Sequence, residues 1–201
     1  ENTFRLVNIA LINEFTQVCS KSGINVQEVI DAASSKPYGY MPFRPGVGVG
    51  GHCIPVDPLY LTWWARQNGE VASFVESADS INHDMPKYVA KRALSLVDAN
   101  IKVPKVLILG VAYKPGVGDV RETPVSELRE HLAAQGATVA WHDPLVPEWE
   151  GSNPVDLGWE CDVAVLATSQ PGMDIAVLIS RGVQILDCTN SITGRAGVSS
   201  I

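Results

Sequence analysis

The sequence predicts two regimes in series, an all-helical segment over residues 1–103 and a parallel α/β sheet domain over residues 104–201. Three observations carry this. Apolar residues of the first hundred positions recur at steps of three and four, the period of a helix face. Beyond residue 104, short and nearly continuous apolar runs alternate with helical patterns, as for strands buried on both faces and joined by helical crossovers. Between them stands "IKVP" (101–104), where the period changes.

Taken in order, Phe4, Val7, Leu11, Phe15 and Val18 form the stripe of a first amphipathic helix, with Gly23 as its stop. Asn25, with Glu28 three residues on, has the pattern of an N-cap and capping box for a second helix running to about Ala33. Residues 34–57 hold four prolines and five glycines and predict a long loop, a length usually kept for function. Pro58 opens a third helix, Leu59 to about Gln67. From Ala72 to Asn100 the period is helical again, and Asp84 with Pro86 predicts a break or a fresh start inside it. Past the boundary, "KVLILGVAY" is a strand, "TPVSELREHLAAQGA" a helix, "TVAWHDP" and "CDVAVLATS" strands, "GMDIAVLISRG" a helix and "VQILDCTN" a strand.

The 201 residues, 46% hydrophobic and 18% charged, describe an ordinary soluble globule with a sizeable core. A net charge of −7 argues against nucleic acid or an anionic membrane as partner, since both need clustered Lys and Arg. No apolar run approaches the roughly 20 residues of a membrane span, and no signal peptide opens the chain. Cys19, Cys53, Cys161 and Cys188 lie far apart with no CxxC pair, which suits the reducing cytoplasm better than a disulfide framework or zinc site. The chain enters directly on a helical pattern at Glu1, as a piece cut from a longer protein would. Phe4, Phe15, Phe74 and the Trp63–Trp64 pair offer more apolar surface than one small helical layer can cover, so a two-fold dimer through the helical segment is expected.

Two constellations carry chemistry. In "GVGVGGHCIPVDP" (46–58), Gly46, Gly48, Gly50 and Gly51 leave backbone amides free for an anionic or carbonyl ligand. Cys53 can act there as a nucleophile, and Asp57 can orient a water or accept a proton. The alternative is a Gly/Pro turn around a small buried hydrophobe, with Asp57 capping the helix at Pro58. A Cys53–His52 dyad is disfavoured because adjacent side chains on extended backbone diverge. In "GVAYKPGVGDVRETPVSEL" (110–128), a strand end leads through a polar loop to a helix start. Ligands bind beyond the carboxyl ends of such strands, and Lys114, Arg121 and the helix N-terminus suit phosphate. A solvated loop whose Arg and Glu pair with each other is the competing reading.

"ENTFRLVNIALINE", "GVGVGGHCIPVDPLYL" and "LGVAYKPGVGDVRETP" together resemble the central and C-terminal parts of the UDP-glucose/GDP-mannose dehydrogenase family, the nucleotide-sugar 6-dehydrogenases. The resemblance covers essentially the whole chain, and "GGHCIPVDP" is most similar to the UDP-N-acetylhexosamine branch. It implies a helical central dimerisation domain followed by a Rossmann-like UDP-sugar-binding domain, and oxidation of a sugar C6 alcohol to a carboxylate with two NAD. By resemblance Cys53 is the nucleophile that forms the thiohemiacetal and thioester. Asp57 serves the water step, and Asn2 helps hold the reacting centre. Arg5, Gly50, Tyr113 and Lys114 contact the UDP-sugar, and Arg121 reaches NAD. The family's catalytic lysine falls four residues before the asparagine, ahead of Glu1. Thr189 stands where many members have arginine, and only Lys36 or Arg44 can supply the basic residue offered to a neighbouring subunit. The expectation is therefore part of an NAD-dependent UDP-N-acetylhexosamine 6-dehydrogenase, and the alternative is a redox-inactive, dimeric UDP-sugar-binding module.

Overall fold

The computed structural model describes residues 1–192 and 194–201. Four helices precede the first strand: α1 (Asn2–Lys21), α2 (Val26–Ser34), α3 (Asp57–Gln67) and α4 (Ser73–Leu94). Then follow β1 (Lys105–Leu109), α5 (Val125–Ala134), β2 (Thr138–His142), β3 (Val163–Leu166), α6 (Ala176–Ser180), β4 (Gln184–Asp187) and β5 (Val198–Ser200). The strands form one parallel, Rossmann-like sheet in the order β2-β1-β3-β4-β5. β5 was not expected from the sequence: its three residues include two serines and carry no apolar run.

Strand alternation builds a core on each face of the sheet. Val106, Ile108, Val163 and Val165 face α4 and α5, while Leu107, Leu109, Ala164 and Leu166 face Leu178 of α6. All eight strand residues are fully buried, which is why these runs read as continuous apolar segments.

The helical half differs from expectation in two ways. In α1 the buried residues are Leu6, Ala10, Ile12, Asn13 and Thr16. The stripe of Phe4, Leu11, Phe15 and Val18 lies exposed instead. The period was right and the face was not: a second, less apolar stripe packs against Val75 and Ala78 of α4. In α4, Pro86 lies inside a continuous helix rather than at a break. An interior proline costs about 3 kcal/mol. Met85, Val89, Ala90 and Ala93 around it are fully buried against the sheet, and complete burial of a Met or Val side chain contributes about 1.5–3 kcal/mol each. Packing outweighs the lost bond. Asn25 caps α2 as predicted, its Oδ1 accepting from the Gln27 amide at 2.9 Å.

Candidate functional site

The glycine loop is held by its valines. Val47 is buried in the core shared by α4 and the sheet, and Val49 and Ile54 pack on the α1–α4 cluster. The glycines that alternate with them meet other backbone. A Cβ on Gly50 would stand 2.8 Å from the Glu122 carbonyl oxygen and from Tyr113 Cβ, and 2.9 Å from Pro124 Cδ. Only glycine allows that approach. Gly51 then donates to the Arg121 carbonyl at 3.3 Å, and Gly46 donates to Asn13 Oδ1 at 3.2 Å. Two of the four glycine amides offered by the sequence are thus already engaged. Among the described residues no acceptor meets those of Gly48 and Gly50. The two chemistry-bearing segments, far apart in sequence, form one junction. Glu122 lies at its centre with φ of 46°, a left-handed conformation uncommon for a side-chain-bearing residue.

Cys53 is exposed at the head of a tight turn, its carbonyl accepting from the amides of Val56 and Asp57 at 3.2 and 2.8 Å. That turn leads straight into α3, whose N-cap is Val56 and whose first residue is Asp57. Asp57 therefore does not cap α3 with its side chain. Its Oδ2 accepts from Asn2 Nδ2 at 2.5 Å, joining the start of α1 to the start of α3. Arg5, one turn into α1, pairs with Glu1. Of the other thiols, burial and the neighbouring Asp187 push Cys188 well up, and burial raises half-buried Cys161 against the opposing pull of Arg181. His52 is exposed beside Cys53.

On the strand-end segment, Lys114 is exposed, with Nζ 5.3 Å from the centroid of the Tyr113 ring. Arg121 closes its fork on Asp119: Nε lies 3.0 and 3.1 Å from the two carboxylate oxygens and the second arm reaches Oδ2 at 2.6 Å. The guanidinium holds the Asp119 carboxyl down at about 2. Arg121 therefore pairs with an aspartate two residues earlier and not with Glu122. Arg44 is likewise engaged within the chain, at 2.6 Å from Gln27 Oε1 and 2.7 Å from Asp31 Oδ1.

Two buried polar networks brace the junction, and neither was read from the sequence. Asn13 donates to Asn82 Oδ1 at 2.9 Å, and Asn82 donates to the Leu6 carbonyl at 3.2 Å, tying α1, α4 and the glycine loop together. Asp143, at the end of β2, accepts from the amides of Val111, Ala112 and Leu145. The only sequence signal for either was a polar side chain on an otherwise apolar face. Beside the junction lie two cavities. One of about 220 Å³ runs from Gly46 and Gly48 past Ala112 and Tyr113 to Thr168 and Thr189. The other, of about 310 Å³, lies behind the loop between Leu6, Asp79, His83 and Glu127.

Gly46, Gly48 and Gly51 stand at the G-x-G-x-x-G spacing of a dinucleotide fingerprint. No strand leads into them, no helix starts at Gly51, and the Gly51 amide is bonded to Arg121. The Arg121 fork rests on Asp119, and these glycines do not present the strand–turn–helix of that fingerprint. No group of three or more metal-ligating side chains converges among the described residues, and no helix there is long and apolar enough to cross a membrane.

Comparison with known proteins gives matches over both halves. The profile "UDP-glucose/GDP-mannose dehydrogenase family, central domain" matches residues 1–84, and that family's "UDP binding domain" matches residues 107–191. A UDP-N-acetyl-D-mannosamine dehydrogenase from Methanococcus maripaludis strain C7 is 42% identical over 145 residues, 72% of this chain and 33% of that protein. The enzyme of that name from Salmonella typhi is 33% identical over 189 residues, 89% of this chain and 43% of its own. Among solved structures, a UDP-D-ManNAc dehydrogenase from Pyrococcus horikoshii superposes with a TM-score of 0.83 at 34% identity, over all of this chain and 50% of that one. The chain thus spans a third to a half of the length of these relatives.

Proposed function

Because the chain belongs to the UDP-glucose/GDP-mannose dehydrogenase family, we propose that it carries the covalent and nucleotide-sugar-binding parts of an NAD-dependent UDP-N-acetylhexosamine 6-dehydrogenase. Residues 1–103 supply the covalent step and residues 104–201 the hold on UDP. The observation that carries this reading is the 2.5 Å bond from Asn2 to Asp57 beside the exposed Cys53. It joins two of these residues where two helices start, and the Asp57 amide donates to the Cys53 carbonyl at 2.8 Å. The N-acetylhexosamine is supported by the printed names of the relatives.

In this reading the Cys53 sulfur adds to the C6 aldehyde of the sugar, and the carbonyl electron pair moves to oxygen. The unoccupied amides of Gly48 and Gly50 stabilise that charge. A bond to sulfur keeps the intermediate from leaving before the second oxidation. NAD would supply the hydride acceptor the family uses, and Arg121 is the residue of this chain that would reach it. Once C6 is a thioester, Asp57 takes a proton from the attacking water and the tetrahedral adduct expels the Cys53 thiolate. Asn2 keeps the Asp57 carboxylate turned to that water. Lys114 neutralises the diphosphate, while Tyr113 and Arg5 contact the rest of the UDP-sugar.

Three measurements test this. In the whole enzyme, Cys53→Ser nearly abolishes carboxylate formation, since an alcohol is far less ionised at neutral pH than a thiol. Normal carboxylate production by that variant overturns the covalent role. The 201-residue chain titrated with UDP in a calorimeter gives heat of binding, and with both UDP-N-acetylhexosamines and NAD it forms no NADH. Sustained NADH formation places the nicotinamide site among residues read here as scaffold.

A further inference from the structure

We propose that Gln170 is a positioning residue for Lys114, fixing the lysine against the diphosphate by clamping the backbone two residues beyond it. This rests on the reading of Lys114 as the phosphate ligand. The segment leaving β1 is fastened at both ends and free only in the middle. On the near side, Asp143 Oδ2 accepts from the amides of Val111 and Ala112 at 2.9 and 3.2 Å. Thr168 Oγ1 donates to the Ala112 carbonyl at 2.7 Å. On the far side, Gln170 Oε1 accepts from the Gly116 amide at 2.8 Å, and its Nε2 donates to the Val117 carbonyl at 2.9 Å. A Cβ on Gly118 would stand 2.3 Å from the Leu145 carbonyl oxygen, so the next turn lies directly on backbone. The Tyr113 amide donates to the Asp119 carbonyl at 3.1 Å, so what remains between the fastenings is Lys114 and Pro115, with the lysine at the tip.

Gln170 joins the two sides. Its Nε2 also lies 3.3 Å from Asp143 Oδ2, so one amide spans the loop backbone and the carboxylate that gathers β1 and β2. Gln170 is 4% exposed and Asp143 is 1% exposed, so neither meets the ligand. A glutamine is the side chain this place needs. It offers an acceptor to Gly116 and donors to Val117 and Asp143, whereas a glutamate would set a second carboxylate against Asp143. An apolar side chain would take their partner from the Gly116 amide and the Val117 carbonyl, and one of its donors from the buried Asp143 carboxylate. The loop would then sample positions from which Lys114 misses the phosphate, and binding would bear the entropy of ordering it.

A double-mutant cycle on the whole 201-residue chain, with UDP as probe in a calorimeter, separates positioning from general support. Gln170→Met weakens UDP binding by about tenfold when Lys114 is present, and by less than about twofold in a Lys114→Ala background. It also flattens the salt dependence of UDP affinity as Lys114→Ala does, an effect that lower stability alone would not produce. Thermal melts check that each variant is folded. Should Gln170→Met not fold, Gln170→Asn, which keeps the amide but withdraws it by one methylene, carries the same cycle. Equal losses in both backgrounds, or no loss in either, overturn the proposal. If Lys114→Ala alone leaves UDP affinity unchanged, the phosphate role of Lys114 has failed, and the positioning role falls with it for that separate reason.

Discussion

Gly50 is a residue at which the glycine loop lies tight against the strand-end segment, with both Glu122 and Tyr113 atoms 2.8 Å from where its Cβ would be. Gly50→Ala is expected to destabilise the chain by about 1–3 kcal/mol through overpacking against backbone that cannot yield, and to weaken UDP binding; chemical denaturation and calorimetry check both. The cysteines should separate as sharply. Exposed Cys53 is alkylated first by iodoacetamide, and Cys188, buried and with its thiol pushed well up, is the last, as peptide mapping by mass spectrometry would show. Cys53, Asp57 and Asn2 were singled out in the sequence because they sit in long ordered motifs whose proposed chemistry needs those residue types. Asp143, Gln170, Asn13 and Asn82 were not. Their partners are backbone groups or amides tens of residues away, and a lone polar residue in an apolar run does not announce which buried amide it will meet.

At the scale of elements, helix and strand periods placed nearly every segment, and the errors came where tertiary packing chose between local options. α1 has two usable stripes, and only the shape of α4 decides which one turns inward. Pro86 signals a break until the buried side chains around it are counted. α4 also carries a pH-sensitive group, His83, whose Nδ1 lies 3.0 Å from the Asp79 carbonyl and 3.4 Å from its carboxylate. Burial pulls its pKa down, but the Asp79 carbonyl and carboxylate, with Glu127 of α5 and Asp84, more than offset this and leave it raised. A raised folded value means that the stabilisation is complete below the ordinary histidine pKa of about 6.5 and is lost as pH climbs through the folded value. The melting temperature of the chain should therefore exceed that of His83→Gln by more at about pH 6 than at about pH 8. A constant gap would show that the protonated ring contributes nothing.

For the whole molecule, the exposed faces point to self-association. Phe4, Leu11, Phe15 and Val18 on α1, with Tyr60, Trp63 and Trp64 on α3 and Phe74 on α4, are all at least 43% exposed. Side chains of that size left open on one helical half favour a two-fold dimer, and light scattering should give twice the chain mass; a monomer mass independent of concentration overturns it. The sequence pointed to Phe4, Phe15, Trp63, Trp64 and Phe74 as surplus apolar surface, and all five lie exposed. One feature of the interior works against separability. The buried side of α4 is lined by Met85, Val89, Ala90 and Ala93, which lie in the same cluster as Val106, Ile108 and Leu128. The stretch between α4 and β1 is thus a covalent tether across a seam already sealed. A nick made there, or a gene split at that point, should leave two polypeptides that stay together through gel filtration and melt in a single transition. Each piece produced alone would present an open oily flank and precipitate, while co-expression would restore the soluble pair.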